Sequence, residues 1–271
     1  MVLTRYSIES IIIKQNITEF HNEIAPGYDG MVNTSIPANA IRDYFQKRIL
    51  AGISKGEQLL EIGCGTGTDA VFLAKNGIKI TATDISENML KITESKAKES
   101  KLSDLINTEM LDGDNLASFK GRTFDGLISN LNAVNYIKDI KSFSGNAAHV
   151  LVPGAKVFLI MLNKICLWEI LYNIVKLKPV TALGKLTDRK KDYKTEMHLY
   201  FPRKIKKIFS QYFYVNKITG FGFFYPPDGL SPFQKKHGKF FSAIQPLERF
   251  VCSAYPFYNL CDHYLIEMTR K

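Results

Sequence analysis

Between Leu59 and Asp84 the chain reads LLEIGCGTGTDAVFLAKNGIKITATD. An apolar run (Leu59, Leu60, Ile62) meets three glycines at alternate positions, Gly63, Gly65 and Gly67. A helical pattern follows, then a second apolar run that ends on an acid, Asp84. This order predicts a strand entering a glycine turn at a helix N-terminus, and a neighbouring strand that delivers a carboxylate beside the turn. Such a geometry holds a nucleoside-bearing cofactor.

The residues around the turn bear on which cofactor it is. A dinucleotide fingerprint, G-x-G-x-x-G, would put its third glycine at residue 68, where Thr68 stands. Glu61 lies two residues before the first glycine, where it would repel a pyrophosphate. S-adenosylmethionine carries no phosphate but has a cationic amino group and a sulfonium, and an acid at the end of the first strand suits it better. No Gly-Lys-Ser/Thr follows, which excludes a Walker A loop. Asp84 is spaced to accept both ribose hydroxyls, although that spacing alone does not separate the two cofactors.

With these residues in hand, the chain resembles class I S-adenosylmethionine-dependent methyltransferases over roughly residues 20–163 plus a terminal strand. E-I-G-C-G-T-G is similar to the first motif of that family, and Asp84 takes the place of its ribose-binding acid. Leu111-Asp112-Gly113-Asp114-Asn115 resembles the loop after the third strand, whose Asp meets the adenine amino group; Asp114 is favoured over Asp112 for that role. Phe124–Asn130 resembles the fourth strand. Leu151-Val152-Pro153-Gly154-Ala155 resembles the turn before the fifth, with Ala155 where a second glycine is common. Phe20 to Asp29, FHNEIAPGYD, resembles the N-terminal segment of the ubiquinone/menaquinone-biosynthesis type of small-molecule methyltransferase. The resemblance implies a cofactor site of Tyr28, Glu61, Gly63, Cys64, Gly65, Gly67, Asp84, Ile85, Met89, Asp112, Gly113, Asp114, Asn115 and Asn130, with S-adenosylmethionine as donor and S-adenosylhomocysteine as its product. Plainer readings stand beside it: a tight turn for the glycines, a strand-end acid for Asp84, a small filler for Cys64, N-terminal packing for Tyr28, and loop ties for Asn130 and Asn132. Ser86 is the more natural cap for the helix that begins at Glu87.

Strands alternating with helices predict an α/β, doubly wound, Rossmann-like sheet. The pattern places a helix over 36–50 and strands near 57–63, 78–84, 105–110, 123–129 and 156–162. Helices fall near 67–76, 87–99 and 139–151. Further on, it places a helix from Phe201-Pro202 to about Tyr212 and strands over 213–224 and 263–269. The family resemblance makes this a mostly parallel seven-stranded sheet with an antiparallel last strand. Residues 1–56 are expected to supply helices that cover the cofactor, and 57–162 the cofactor-binding core. A cap insertion is expected over 163–200, and the rest of the sheet over 201–271, interrupted by a second cap at about 225–261. Ligands of such sheets bind beyond the strands' carboxyl ends, where Gly63, Asp84, Asp114 and Asn130 all fall.

Four cysteines without C-x-x-C or zinc spacing fit reduced thiols in a cytosol. The short Ile11–Ile13 run near the N-terminus, with Arg5, Glu9 and Lys14 around it, reads as neither a signal peptide nor a membrane span. Residues 1–150 carry 16 basic and 18 acidic residues, and residues 151–271 carry 20 and 8. The basic part is either a solubilising surface or the mark of an acidic partner: an anionic substrate, a phospholipid surface or nucleic acid. Ala155–Leu177 is long enough to span a bilayer, but Lys156, Lys164 and Glu169 interrupt it, and its first part is needed as a strand. An interfacial helix near Trp168 would let the protein touch a membrane from the cytoplasmic side. The aromatic residues of the second insertion, among them Phe223, Phe224, Phe250, Tyr255 and Phe257, suggest a hydrophobic acceptor pocket or cap packing.

Methyl transfer from a sulfonium is an in-line displacement that needs alignment and exclusion of water. A base is required only when the acceptor enters protonated, and His198, Tyr200, His237 and His263 are the candidates for one. No metal-ligand spacing and no nucleophilic triad is visible in the sequence. The leading reading is a methyltransferase for a small hydrophobic, lipid-like or anionic acceptor, with O-methylation ahead of N or C. The alternative is an RNA or DNA methyltransferase using the basic C-terminal third. The residues Asn130-Leu131-Asn132-Ala133 after the fourth strand, unlike N-P-P-Y, argue against it. So does the lack of a separate RNA-binding module.

Overall fold

The computed structural model describes residues 17–175, 197–224 and 238–271, without the side chains of 238–242 and 245. Its N-terminal part is helical: α1 (Ile17–Ile24), a 3-10 turn (Ala25–Gly27), α2 (Tyr28–Asn33) and α3 (Ile36–Leu50). Ser35 caps α3 by accepting from the Ala38 amide at 3.0 Å, and Pro37 sits in the first turn, where a missing N–H costs nothing.

Alternation then follows. The strands are β1 (Gln58–Ile62), β2 (Lys79–Asp84), β3 (Ile106–Met110), β4 (Phe124–Ser129) and β5 (Leu151–Leu162). Between them lie α4 (Thr68–Lys75), α5 (Glu87–Glu99), 3-10 segments at Gly113–Phe119 and Ala133–Tyr136, and α6 (Ile140–Val150). The later elements are α7 (Leu167–Val175), α8 (Pro202–Phe209), β6 (Phe213–Phe221), α9 (Gly238–Val251) and β7 (His263–Arg270). The strands make one seven-stranded sheet in the order β3-β2-β1-β4-β5-β7-β6. The first five strands run parallel, and β7 lies antiparallel to both β5 and β6. The expected Rossmann-like, mostly parallel seven-stranded architecture is what the chain forms.

Pleat alternation sends successive side chains to opposite layers. On one face Leu59, Ile80, Ala82, Ile128 and Phe158 pack with Ile41, Phe45 and Ile49 of α3, Leu73 of α4 and Leu90 of α5. On the other, Leu60, Ile62, Leu127, Val157 and Leu159 pack with Leu116, Phe143 of α6, and Ile205 and Phe209 of α8. Arg48 of α3 grips Glu267 of β7 with two nitrogens, Nε at 3.0 and 3.1 Å and a terminal nitrogen at 2.7 Å, tying the N-terminal helices to the last strand.

Several boundaries differ from the sequence pattern. β5 begins at Leu151, five residues before Lys156, because Leu151 already pairs with Phe124; a register shift between Phe124 and Gly126 absorbs Pro153 and Gly154. β6 ends at Phe221, where Gly222 takes φ 87°, and α8 stops at Phe209. Ser86 caps α5 as expected, accepting from the Met89 amide at 3.2 Å. The described part of the second insertion packs on β6: Gly220 N donates to Cys252 O at 2.8 Å and Gly222 N to Glu248 Oε1 at 2.6 Å.

Candidate active site

The carboxyl ends of β1, β2 and β4 open into a cleft of about 740 Å³, within the ~300–1,000 Å³ typical of small-molecule sites. The glycine loop forms its floor. Gly65 has φ 54° and Gly67 φ 75°, the left-handed region that L side chains avoid. A Cβ on Gly67 would also meet the Thr93 side chain of α5 at 2.5 Å, so this glycine serves close helix packing. Thr93 Oγ1 donates to the Gly65 carbonyl at 3.0 Å and so fixes the loop from behind.

Asp84 ends β2 beside this loop. Its Oδ2 accepts from Gly65 N and its Oδ1 from Ser86 N, both at 2.9 Å. Burial raises its carboxyl above the ordinary range, and the amides of Ser86 and Gly65 oppose that rise. On the opposite rim, Asp112 caps the 3-10 segment by accepting from Asp114 N at 3.1 Å. Asp114 Oδ1 accepts from the amides of Lys138 and Asp139 at 2.8 and 3.2 Å, which ties the loop after β3 to the loop after β4.

The N-terminal helices close the cleft from above. Ile17, Thr18, Phe20, His21 and Tyr28 line it. They are pinned from outside: Asn22 Oδ1 accepts from Ser86 Oγ at 2.7 Å, and Asp29 accepts from Thr66 Oγ1 and pairs with Lys96, each at 2.5 Å. Burial, offset by Arg42 and reinforced by Asp84, pushes the Tyr28 hydroxyl up to about 12. His21 stacks edge-on against Tyr136, with ring centroids 5.7 Å apart.

Deeper lies a polar network that the sequence pattern did not reveal. Arg42 of α3 faces Asp69 of α4, Nε to Oδ2 at 3.6 Å. Asp69 also accepts from Gln46 Nε2 at 2.7 Å and from Asn130 Nδ2 at 2.8 Å. Both Arg42 and Asp69 reach the cleft wall. Glu61 sits behind them, 1% exposed. Burial, with Asp69 adding to it, lifts its carboxyl well above the usual range. The signal for this placement was available: Glu61 shares its pleat face with Leu59 and so points to the α3–α4 layer.

The sequence-named residues Tyr28, Gly63, Cys64, Gly65, Asp84, Ile85, Met89, Asp112, Gly113, Asp114 and Asn130 meet on the cleft wall. Glu61, Gly67 and Asn115 lie outside that lining. Of the base candidates, His198 and Tyr200 run alongside Asn135, with His198 N donating to Asn135 O at 2.6 Å and their rings stacked. His263 lies between Asp262 and Asn132, with Nδ1 3.0 Å from Asp262 Oδ2 and Nε2 3.0 Å from Asn132 Nδ2. Asn132 follows the cleft residues Asn130 and Leu131 in the loop after β4. His237 lies outside the described residues. Among the described residues of the two inserted segments, none is in the cleft lining.

Residues 59–154 match a family described as a methyltransferase domain. A demethylmenaquinone methyltransferase of Tropheryma whipplei is 28% identical over 143 residues, 52% of this chain and 56% of that protein. A ubiquinone biosynthesis O-methyltransferase of Coxiella burnetii is 27% identical over 157 residues, covering 58% and 65%. The chain thus spans somewhat over half the length of the curated relatives it matches. The solved magnesium protoporphyrin IX methyltransferase of Synechocystis with bound S-adenosylhomocysteine superposes with a TM-score of 0.60 at 16% identity, over 94% of this chain and 98% of that one. At that identity the superposition speaks for the fold. By fold, motif order and relatives, the chain carries a methyltransferase domain over residues 59–154 and is similar to class I S-adenosylmethionine-dependent methyltransferases, those of quinone biosynthesis among them.

Proposed function

We propose that the protein transfers a methyl group from S-adenosylmethionine to a small hydrophobic acceptor, with oxygen favoured as the methylated atom. The observation that carries this reading is the pairing of Asp84 with the Gly65 loop at the floor of a cleft whose far wall holds Arg42 and Asp69. In this assignment Asp84 accepts the ribose hydroxyls, Asp114 or Asp112 meets the adenine amino group, and Met89 and Ile85 flank the adenosine. Arg42, whose Nε has no hydrogen-bond partner, receives the donor's α-carboxylate, and Asp69 its ammonium. Tyr28 covers the methionine end. These residues orient the donor and exclude water; the sulfonium supplies the methyl group, and charge is neutralised as it becomes a thioether.

The acceptor class draws on the relatives, whose names place their chemistry in quinone biosynthesis, one of them at oxygen. An acceptor that enters protonated needs a base, and His198, Tyr200, His237 and His263 remain the candidates. Exposed apolar residues, Leu171, Ile174 and Val175 on α7 and Leu247 and Phe250 on α9, offer apolar surface for a lipid-like acceptor or a membrane. Among the described residues no helix is long and apolar enough to cross a membrane.

Isothermal titration of the purified chain with S-adenosylhomocysteine, S-adenosylmethionine and a pyridine dinucleotide tests the donor. Micromolar capture of the first two, with none of the third, is expected. Capture of the dinucleotide alone would overturn the reading.

A further inference from the structure

Away from the donor cleft, side chains that methyl transfer does not call on converge where the first inserted segment meets the last strand. Cys166 immediately precedes α7, and Glu169 lies in its first turn. Their spacing of three places both on one helix face. Asp262 immediately precedes β7. The Cys166 Sγ, one Glu169 carboxylate oxygen and one Asp262 carboxylate oxygen all lie within 4.8 Å of one another. Cys166 is 1% exposed and Asp262 5%.

The backbone holds this arrangement independently of the three side chains. Leu167 N donates to Leu260 O at 2.9 Å, and Asn163 N to Asp262 O at 2.8 Å. The buried Asn163 amide reaches the carbonyls of Tyr258, Asn259 and Cys261 at 3.2, 3.1 and 3.0 Å. The start of α7 and the approach to β7 are thus stitched into one rigid frame. His263 Nδ1 stands 3.0 Å from Asp262 Oδ2, the outer hydrogen bond that ligating carboxylates commonly carry.

A thiol and two carboxylates in so small a space repel one another once ionised. A divalent cation replaces their protons and offsets two of the three negative charges; buried charges are ordinarily paired or bound to metal. The donor set selects the ion. A thiolate disfavours magnesium and calcium, whereas zinc takes sulfur at ~2.3 Å and carboxylate oxygen at ~2.0–2.2 Å. Ligand atoms on such a tetrahedron sit ~3.3–3.7 Å apart, so binding would draw the three groups inward by about 1 Å. Three protein ligands leave the fourth position of such a tetrahedron to water.

We propose that Cys166, Glu169 and Asp262 form a binding site for a zinc-class divalent cation, which fastens the first inserted segment to the last strand. The sequence hides it because one pair comes from a helix turn and the third ligand from a distant strand start. The site stands apart from the methyl-donor assignment, and its test reads metal rather than turnover.

The untagged chain, stripped of metal under reducing conditions, is titrated with Zn²⁺ against a chromogenic chelator, and its metal content is measured by elemental analysis. Binding of a single zinc per chain is expected, with a melting temperature that rises with zinc. Cys166→Ser and Glu169→Gln should each weaken binding at least ~10-fold. Glu169 is only half-buried, so its variant keeps the test available should Cys166→Ser fold poorly. With Co²⁺ as probe, a thiolate-to-cobalt charge-transfer band should appear in the wild type and in Cys64→Ser, and vanish in Cys166→Ser. S-adenosylhomocysteine affinity should be unchanged in Cys166→Ser and Glu169→Gln. Zinc no tighter than in the Glu169→Gln variant would overturn the proposal, as would a cobalt band that survives Cys166→Ser or one that depends only on Cys252 and Cys261.

Discussion

Replacing Asp84 with alanine strikes the proposed donor site at a carboxylate held by two backbone amides. In the free protein its two oxygens each accept one backbone amide, Gly65 N and Ser86 N at 2.9 Å, in a position 7% exposed. Alanine leaves both donors unsatisfied, at about 1–3 kcal/mol each in stability. In the complex, the proposed contacts to two ribose hydroxyls are charge-assisted bonds of about 1.5–3 kcal/mol each. Their joint loss is about 3–6 kcal/mol, a rise in Kd of ~10²–10⁴-fold. Asp84→Asn keeps the shape and one acceptor but loses the charge, and should fall between, at ~10–100-fold. Calorimetric titration with S-adenosylhomocysteine measures both, and circular dichroism melts run beside it show that the variants are folded at the titration temperature. A folded Asp84→Ala protein that binds within ~3-fold of wild type would refute the ribose assignment and the magnitude built on it.

Three further outcomes follow from the same cleft. Gly65→Val puts a β-branched side chain at φ 54°, with its Cβ 3.5 Å from Tyr28 Cε1; the strain costs about 1–3 kcal/mol, and both melting temperature and donor affinity should drop. Arg42→Gln should weaken S-adenosylhomocysteine binding ~10-fold or more while leaving 5′-methylthioadenosine, which lacks the carboxylate, unchanged; equal losses for the two ligands would count against the carboxylate role. Burial raises the Glu61 carboxyl above its ordinary 4.5. Its contribution to stability is therefore full below about that pH and is lost as pH rises through the elevated value, at about 1.4 kcal/mol for each tenfold drop in proton activity across the interval. Glu61→Gln, which cannot ionise, should gain stability relative to wild type between pH 4.5 and neutrality in urea melts; a difference that does not vary with pH would contradict this.

Much of the architecture was legible because periodicity reports burial. The α3 and α5 boundaries follow directly from an apolar stripe and a serine cap, and the β2 carboxylate from the glycine turn that precedes it. Strand ends were less legible: β5 starts early because pairing with Phe124 depends on a neighbouring strand, which no local pattern encodes. Of the cleft lining, the residues fixed by backbone conformation were readable as neighbours, namely Gly63, Gly65, Asp84 and the loop Asp112–Asp114 after β3. Arg42 and Asp69 were not, since on isolated helices each looks like a surface charge; only the packing of α3 on α4 turns them inward. The Cys166–Glu169–Asp262 cluster was hidden for the same reason.

The insertion of β7 between β5 and β6 has a consequence for synthesis on the ribosome. Until residue 270 has left the exit tunnel, β5 offers an open edge and β6 has no neighbour in the sheet. The nascent protein must hold an adhesive, half-built sheet through the translation of the whole second insertion, a state prone to aggregation and suited to chaperone capture.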